Sequence, residues 1–275
     1  MTPQKTNNTV TTTHKSLSVQ VSLFGHSFLA SNPNTKKVSF FSEKKYGYTA
    51  TPEDILTEIK NDLTSQKELK QTFSNVTVCF QSPIYTPVPL SLYDPTKASE
   101  YLKFNTKILA NDHIATDTLK NEKIAVVYVP YVNVNNHFFE TFGSFAYYHA
   151  STLLLKHFLP KYRTAPGPKL VLHLTEGFLD CIVIEKGKLM LCNTYPFRTA
   201  EDFMYYVLFC LEQLQLTPET IETVALGTID ESDENFEILY KYIRNVSIYA
   251  PESGVFIENQ PRHKNVVLQT LAACG

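Results

Sequence analysis

In the stretch LSVQVSLF, Leu17, Val19, Val21 and Leu23 alternate with Ser18, Gln20 and Ser22, the period of a strand that buries one face. Gly25 permits a turn after it. HSFLAS and KVSFFS, separated by the turn-forming NPNT, then complete a three-stranded meander. The period changes in TPEDILTEIKNDL. There Ile55, Ile59 and Leu63 recur at helical spacing, behind Thr51 as N-cap, Pro52 at the first helical position and Asp54 at the third. VTVCF, from Val76, reads as a short buried strand.

The pattern returns further along. VLHLTEGFLDCIVIEKGKLMLC predicts strands over 169–175, 178–185 and 188–195, with Glu176-Gly177 and Lys186-Gly187 as two-residue turns. Thr199 and Asp202 repeat the cap, Phe203, Val207 and Leu211 repeat the apolar stripe, and VALG from Val224 repeats the strand. Thr199 follows Thr51, and Val224 follows Val76, by the same number of residues, which predicts two homologous α/β halves. Between them KIAVVYVP reads as a strand, VNVNNHFFETFG as a helix ending near Gly143, FAYYH as a strand and STLLLKHFL as a helix, with a proline-bounded linker from Pro160 to Pro168. The expected organisation is a disordered leader over 1–15, a first half over 16–160, a linker over 161–168 and a second half over 169–275. EDFMYYVLFCLEQL is apolar nearly all round and is expected to lie buried between layers.

A chain of 275 residues, 43% of them hydrophobic, has enough apolar material for one large domain or two small ones. The formal charge of −2 and the lack of a long Lys/Arg run argue against a nucleic-acid partner. No stretch of about 18 apolar residues occurs to span a membrane. The leader MTPQKTNNTVTTTHK lacks the apolar core of a signal peptide, and Cys79, Cys181, Cys192, Cys210 and Cys274 form no C-x-x-C pair. Both features point to buried thiols in the cytoplasm.

A β-β-β-α-β-α unit present twice, bridged by AVVYVPYVNVNNHFFETFGSFAYYHASTLLLKHF, resembles the actin-like ATPase superfamily, in particular its PilM and FtsA branch. It is also similar to an uncharacterised bacterial family of unknown function placed in that fold. The resemblance implies an α/β protein made of two ribonuclease H-like (βββαβα) halves. Hairpins of that superfamily carry D-x-G, whose turn amides cradle phosphate while the carboxylate holds hydrated Mg²⁺. Here Leu23 stands two residues before Gly25, and Thr175 two before Gly177, with Glu176 directed to the other face. The Gly-Gly pair that normally admits the nucleoside is Gly227-Thr228. Gly25, Gly177, Gly227 and Thr228 are therefore the vestige of a nucleotide site, with no catalytic residue, no metal ligand and no cofactor expected. The resemblance implies a non-catalytic scaffold or adaptor with a protein or peptide partner. Its alternative is a divergent ATPase or kinase that binds ATP and Mg²⁺ through other groups.

Other chemistry finds little support in the residues. Two-metal nucleases of the half-fold need a carboxylate on the first strand, and residues 17–24 hold none. Glu176, Asp180, Asp202 and Asp230 could converge on a cation, but Asp202 also has an ordinary place in a cap, Asp230 in a turn and Glu176 in a hairpin. His137, His149 and His157 match no metal-ligand spacing. NDHIATD, with Asp112, His113 and Asp117, reads as a loop after a helix. SPIYTPVPLSLYDP, over 82–95, combines close prolines with rings expected to be exposed, the composition of a docking segment or of a loop packed on its own domain.

Overall fold

A computed structural model of the chain describes residues 14–103, 108 and 112–274. The leader expected over 1–15 thus lies, up to residue 13, outside the described residues. The first meander is β1 (Ser16–Ser22), β2 (Gly25–Ser31) and β3 (Val38–Lys45), followed by α1 (Pro52–Ser65) and β4 (Asn75–Gln81). Thr51 and Asp54 form a reciprocal capping box at the start of α1. The chain continues through β5 (Tyr85–Pro89), α2 (Ala98–Lys103), β6 (Ala115–Leu119), β7 (Ile124–Tyr128), α3 (Val132–Phe142), β8 (Ala146–His149) and α4 (Ala150–Lys161). The second meander is β9 (Lys169–Thr175), β10 (Phe178–Glu185) and β11 (Lys188–Pro196). It is followed by α5 (Ala200–Gln213), β12 (Glu222–Gly227), α6 (Glu234–Tyr242), β13 (Asn245–Ile248) and α7 (Val266–Ala272). Thr199 and Asp202 rebuild the same capping box on α5.

Two five-stranded sheets share one topology. Their orders are β3-β2-β1-β4-β8 and β11-β10-β9-β12-β13, antiparallel within each meander and parallel beyond it. On the outside of the first sheet α1 and α3 bury Ile55, Ile59, Val134 and Phe138 against Leu17, Val19 and Val78. On the outside of the second, α5 and α6 bury Phe203, Val207 and Leu239 against Leu172 and Val183. The space between the sheets is filled by α4 and α7, whose Leu153, Leu154, Phe158, Leu268 and Leu271 meet Cys79 from one sheet and Val171, Ile182 and Leu226 from the other. At roughly 1.5–3 kcal/mol for each large apolar side chain buried, this shared layer joins the sheets. Helix α7 packs on β1, β2 and β4 of the first sheet.

Four expectations are corrected. Gly25 is not a turn residue: Leu23 and Phe24 make the turn, and Gly25 opens β2, where an added Cβ would lie 2.3 Å from the Lys44 carbonyl oxygen of β3. EDFMYYVLFCLEQL is α5, on the outer face of its sheet and not between layers, with Tyr205 63% and Phe209 39% exposed. The rings of SPIYTPVPLSLYDP are not exposed, because β5 pairs with β7 in a separate sheet of order β5-β7-β6, which buries Tyr85, and Tyr93 is half-buried. NDHIATD is not all loop, since Asp117 lies buried at the middle of β6.

Candidate functional site

The β1–β2 and β9–β10 hairpin tips face each other across the junction of the two sheets. Gly177 takes a φ of +75° in its turn, and a Cβ there would sit 2.9 Å from the edge of the Phe24 ring. Phe24 also meets Phe178 edge-to-face, ring centroids 5.7 Å apart. Behind the rings, Gln20 donates to Gln81 at 2.9 Å, and Gln81 donates to Thr175 at 3.3 Å. One hydrogen-bond chain therefore runs from the first sheet to the position where the second D-x-G hairpin would carry aspartate. Lys264 and Glu43 approach to 3.9 Å nearby. The cleft left between the tips has a volume of about 90 Å³, well under the roughly 300–1,000 Å³ of small-molecule sites.

Gly25 and Thr228 line this cleft, and Gly177 lies under Phe24. Gly227, at φ +90°, serves the backbone: its N–H donates to His263, and the Thr228 N–H donates to the Leu174 carbonyl. Phe24, Gln81 and His173, which sequence reasoning did not single out, do more to shape the cleft. Only the position of Phe24 at a hairpin tip could have drawn attention to it.

Beneath the cleft, His173, Asp180 and Thr194 stand directly opposite one another on β9, β10 and β11. His173 Nδ1 lies 2.7 Å from Asp180 Oδ2, and Thr194 donates to Asp180 Oδ1 at 2.5 Å. Thr194 also lies 3.0 Å from the Tyr85 hydroxyl, which ties β5 to the second sheet. The four carboxylates considered around a cation do not gather. Asp180 is committed to His173, Asp202 accepts from the Arg198 and Thr199 amides, and Asp230 pairs with His263. Among the described residues no group of three or more His, Cys, Asp or Glu is placed to hold a metal.

His149 Nε2 donates to the Ser82 carbonyl at 2.8 Å, leaving Nδ1 to accept from Ser151, so the ring is neutral. Burial holds it down at about 4. Asp117 accepts from the His149 amide, Thr152 and Tyr128, yet burial pushes its carboxyl up to about 6. The two shifts have opposite consequences. His149 contributes stability that is present above 6.5 and is lost as pH falls toward 4, whereas Asp117 contributes stability that is present below 3.8 and is lost as pH rises through 6. Asp117→Asn removes that acid-side counterweight. Urea unfolding is therefore expected to show the variant losing stability more steeply than wild type as pH falls from 6 to 4, and parallel curves would refute the assignment.

A second concavity, of about 710 Å³, runs between β6, an edge strand among the described residues, and α4. Thr152, Lys156 and Pro160, at successive helical turns, form one wall, and Thr116 to Leu119 form the other. It is far roomier than the cleft.

A model of the family described as "Protein of unknown function (DUF3822)" matches residues 4–246. The structure is similar to that of a Bacteroides thetaiotaomicron protein described as having an actin-like ATPase fold and unknown function, at 23% identity over 96% of this chain and 97% of that one, TM-score 0.82. It is also similar to a chain of the PilM-PilN type IV pilus biogenesis complex, at 13% identity over 94% and 97%, TM-score 0.59. The ethanolamine utilization protein EutJ from Carboxydothermus hydrogenoformans is similar at 10% identity over 95% and 90%, TM-score 0.50. No curated protein matches the chain. The fold is the actin-like ATPase fold, α/β in class with a duplicated half.

Proposed function

The chain belongs to the DUF3822 family, and we propose that it is a non-catalytic member of the actin-like fold that works as a cytoplasmic, protein-binding scaffold or adaptor. The observation that carries this reading is the Phe24 ring packed on Gly177, where a phosphate cradle would need open backbone amides. Leu23 and Thr175 stand where the resembled hairpins carry carboxylates. Without those groups the charge stabilisation that phosphoryl transfer depends on is missing. Gly25, Gly177, Gly227 and Thr228 are then structural survivors of a cradle.

A protein partner is supported by two facts. PilM, one of the similar structures, was solved in a complex with PilN, and the β6–α4 groove offers this chain an open surface for a peptide. We place the partner there. Among the described residues no helix is long and apolar enough to cross a membrane. The free, mostly buried cysteines suit a reducing compartment.

Thermal unfolding with Mg²⁺-ATP tests the non-catalytic part. A ligand at a hundred times its Kd stabilises by about 2.7 kcal/mol, so binding would raise Tm by several degrees. The expected result is an unchanged Tm and Mg²⁺-dependent phosphate release no faster than the blank. A reproducible rise in either would return the divergent ATPase or kinase reading.

A further inference from the structure

The edges of the sheets are not equally available to another strand. An open edge exposes unpaired amides and carbonyls and invites pairing, so folds usually block it. On the far side of the small sheet β5 carries Pro87 and Pro89, which have no N–H to offer. In the large sheets β8 and β13 are four residues long, and β3 and β11 pair with their neighbours through register shifts that disturb the ladder. Among the described residues β6 carries none of these protections. It pairs with β7 on one side and borders the groove on the other, and no proline interrupts it. Its five residues offer roughly 17 Å of edge.

The opposite wall supplies a charge. Lys156, exposed at the middle of the α4 wall, donates from Nζ to Cys274 Sγ at 3.2 Å, and a thiol sulfur is a weak acceptor for an ammonium group. Lys120, at the end of β6, also lines the groove. Among the described residues neither lysine has a carboxylate within 4.0 Å. Glu122 is the groove's other acid, half-buried at the far end of the β6–β7 turn, while Asp117 is buried and occupied by three donors. The middle of the groove thus presents an extended backbone on one side and an under-satisfied cation on the other.

Resting on the partner-binding reading above, we propose that the groove's occupant is an extended, acid-bearing segment of a partner protein. It adds to the small sheet as a fourth strand along β6 and sets a carboxylate against Lys156. Main-chain hydrogen bonds to β6 supply affinity without sequence preference, and the charge-assisted bond to Lys156 supplies register and selectivity. Strand alternation turns every second side chain of the segment toward α4, so the acid is flanked at one-residue distance by side chains facing away. A polyanionic nucleic acid does not suit the site, because only two lysines line it.

The test is selection of a phage-displayed random dodecapeptide library on the whole chain, followed by titration of the enriched peptides as synthetic molecules. The expected peptides share an Asp or Glu between β-branched residues, and they slow amide hydrogen exchange at residues 115–119. Lys156 is exposed, so Lys156→Glu should unfold at the wild-type temperature while weakening these peptides at least tenfold. Peptides with the shared acid changed to Lys should prefer the variant over wild type. Failure to enrich any sequence, affinities indifferent to Lys156→Glu, or protection that falls elsewhere would each overturn the proposal. Peptides that protect 115–119 but carry no shared acid would end this inference and leave partner binding standing. Saturable Mg²⁺-ATP binding would end the non-catalytic reading without touching the groove.

Discussion

Gly227→Ala is expected to destabilise the chain by on the order of 4 kcal/mol or more, enough to remove a large part of a typical domain's stability. Two effects add at this residue. The backbone sits at φ +90°, where an L side chain costs about 1–3 kcal/mol. The new Cβ would also lie 1.9 Å from the Leu174 carbonyl oxygen, which accepts the Thr228 N–H at 2.8 Å. Relief requires β12 to separate from β9, at the centre of the second sheet. Gly143 provides the control: it has φ +75° at the end of α3, but open space around its Cβ position. Gly143→Ala should therefore cost only the backbone penalty, about 1–3 kcal/mol. Urea unfolding of both variants reads the difference, and equal losses would show that the close approach at Gly227 is unimportant. A substitution at Gly227 consequently cannot serve as a clean probe of nucleotide binding.

The next largest effect is expected at the buried polar triple. His173→Leu leaves the Asp180 carboxylate buried with Thr194 as its remaining side-chain partner, and breaking a buried pair from one side costs roughly 3–5 kcal/mol. The double variant His173→Leu with Asp180→Leu removes the stranded charge together with its partner. It is expected to recover a good part of the loss, because replacing both members by apolar groups is often near neutral. Denaturation of the two single variants and the double variant gives the coupling directly. Additive losses would mean that His173 and Asp180 do not depend on each other, contrary to their 2.7 Å contact.

Much of the architecture was legible because it is local. Alternation in 17–23, the stripe of Ile55, Ile59 and Leu63, and the two Thr–Asp capping boxes each depend on neighbours within a few residues, and their repetition exposed the duplication. The inserted sheet was missed where local rules point the wrong way. Pro87 and Pro89 argue against a strand, yet an edge position tolerates them. Asp117 reads as polar loop, but its carboxylate is answered by donors from β8, α4 and β7 that are distant in sequence. For α5 an all-round apolar composition suggested two buried faces, whereas Tyr205 and Phe209 form an aromatic pair open to solvent. At the cleft, the missing carboxylates could be read from Leu23 and Thr175. The contact that closes it could not, since Phe24 and Gly177 lie in different halves of the chain and meet only once α4 and α7 bring the sheets together.

Whether the paired hairpins still receive a nucleotide decides between a scaffold and a divergent ATPase. Isothermal calorimetry of Mg²⁺-ATP into the whole chain tests it most directly, and the prediction is no saturable heat at any concentration up to millimolar. Saturable, Mg²⁺-dependent heat with micromolar affinity, accompanied by slowed amide exchange at residues 22–25 and 175–178, would contradict it by showing that Phe24 moves aside to open a working cradle.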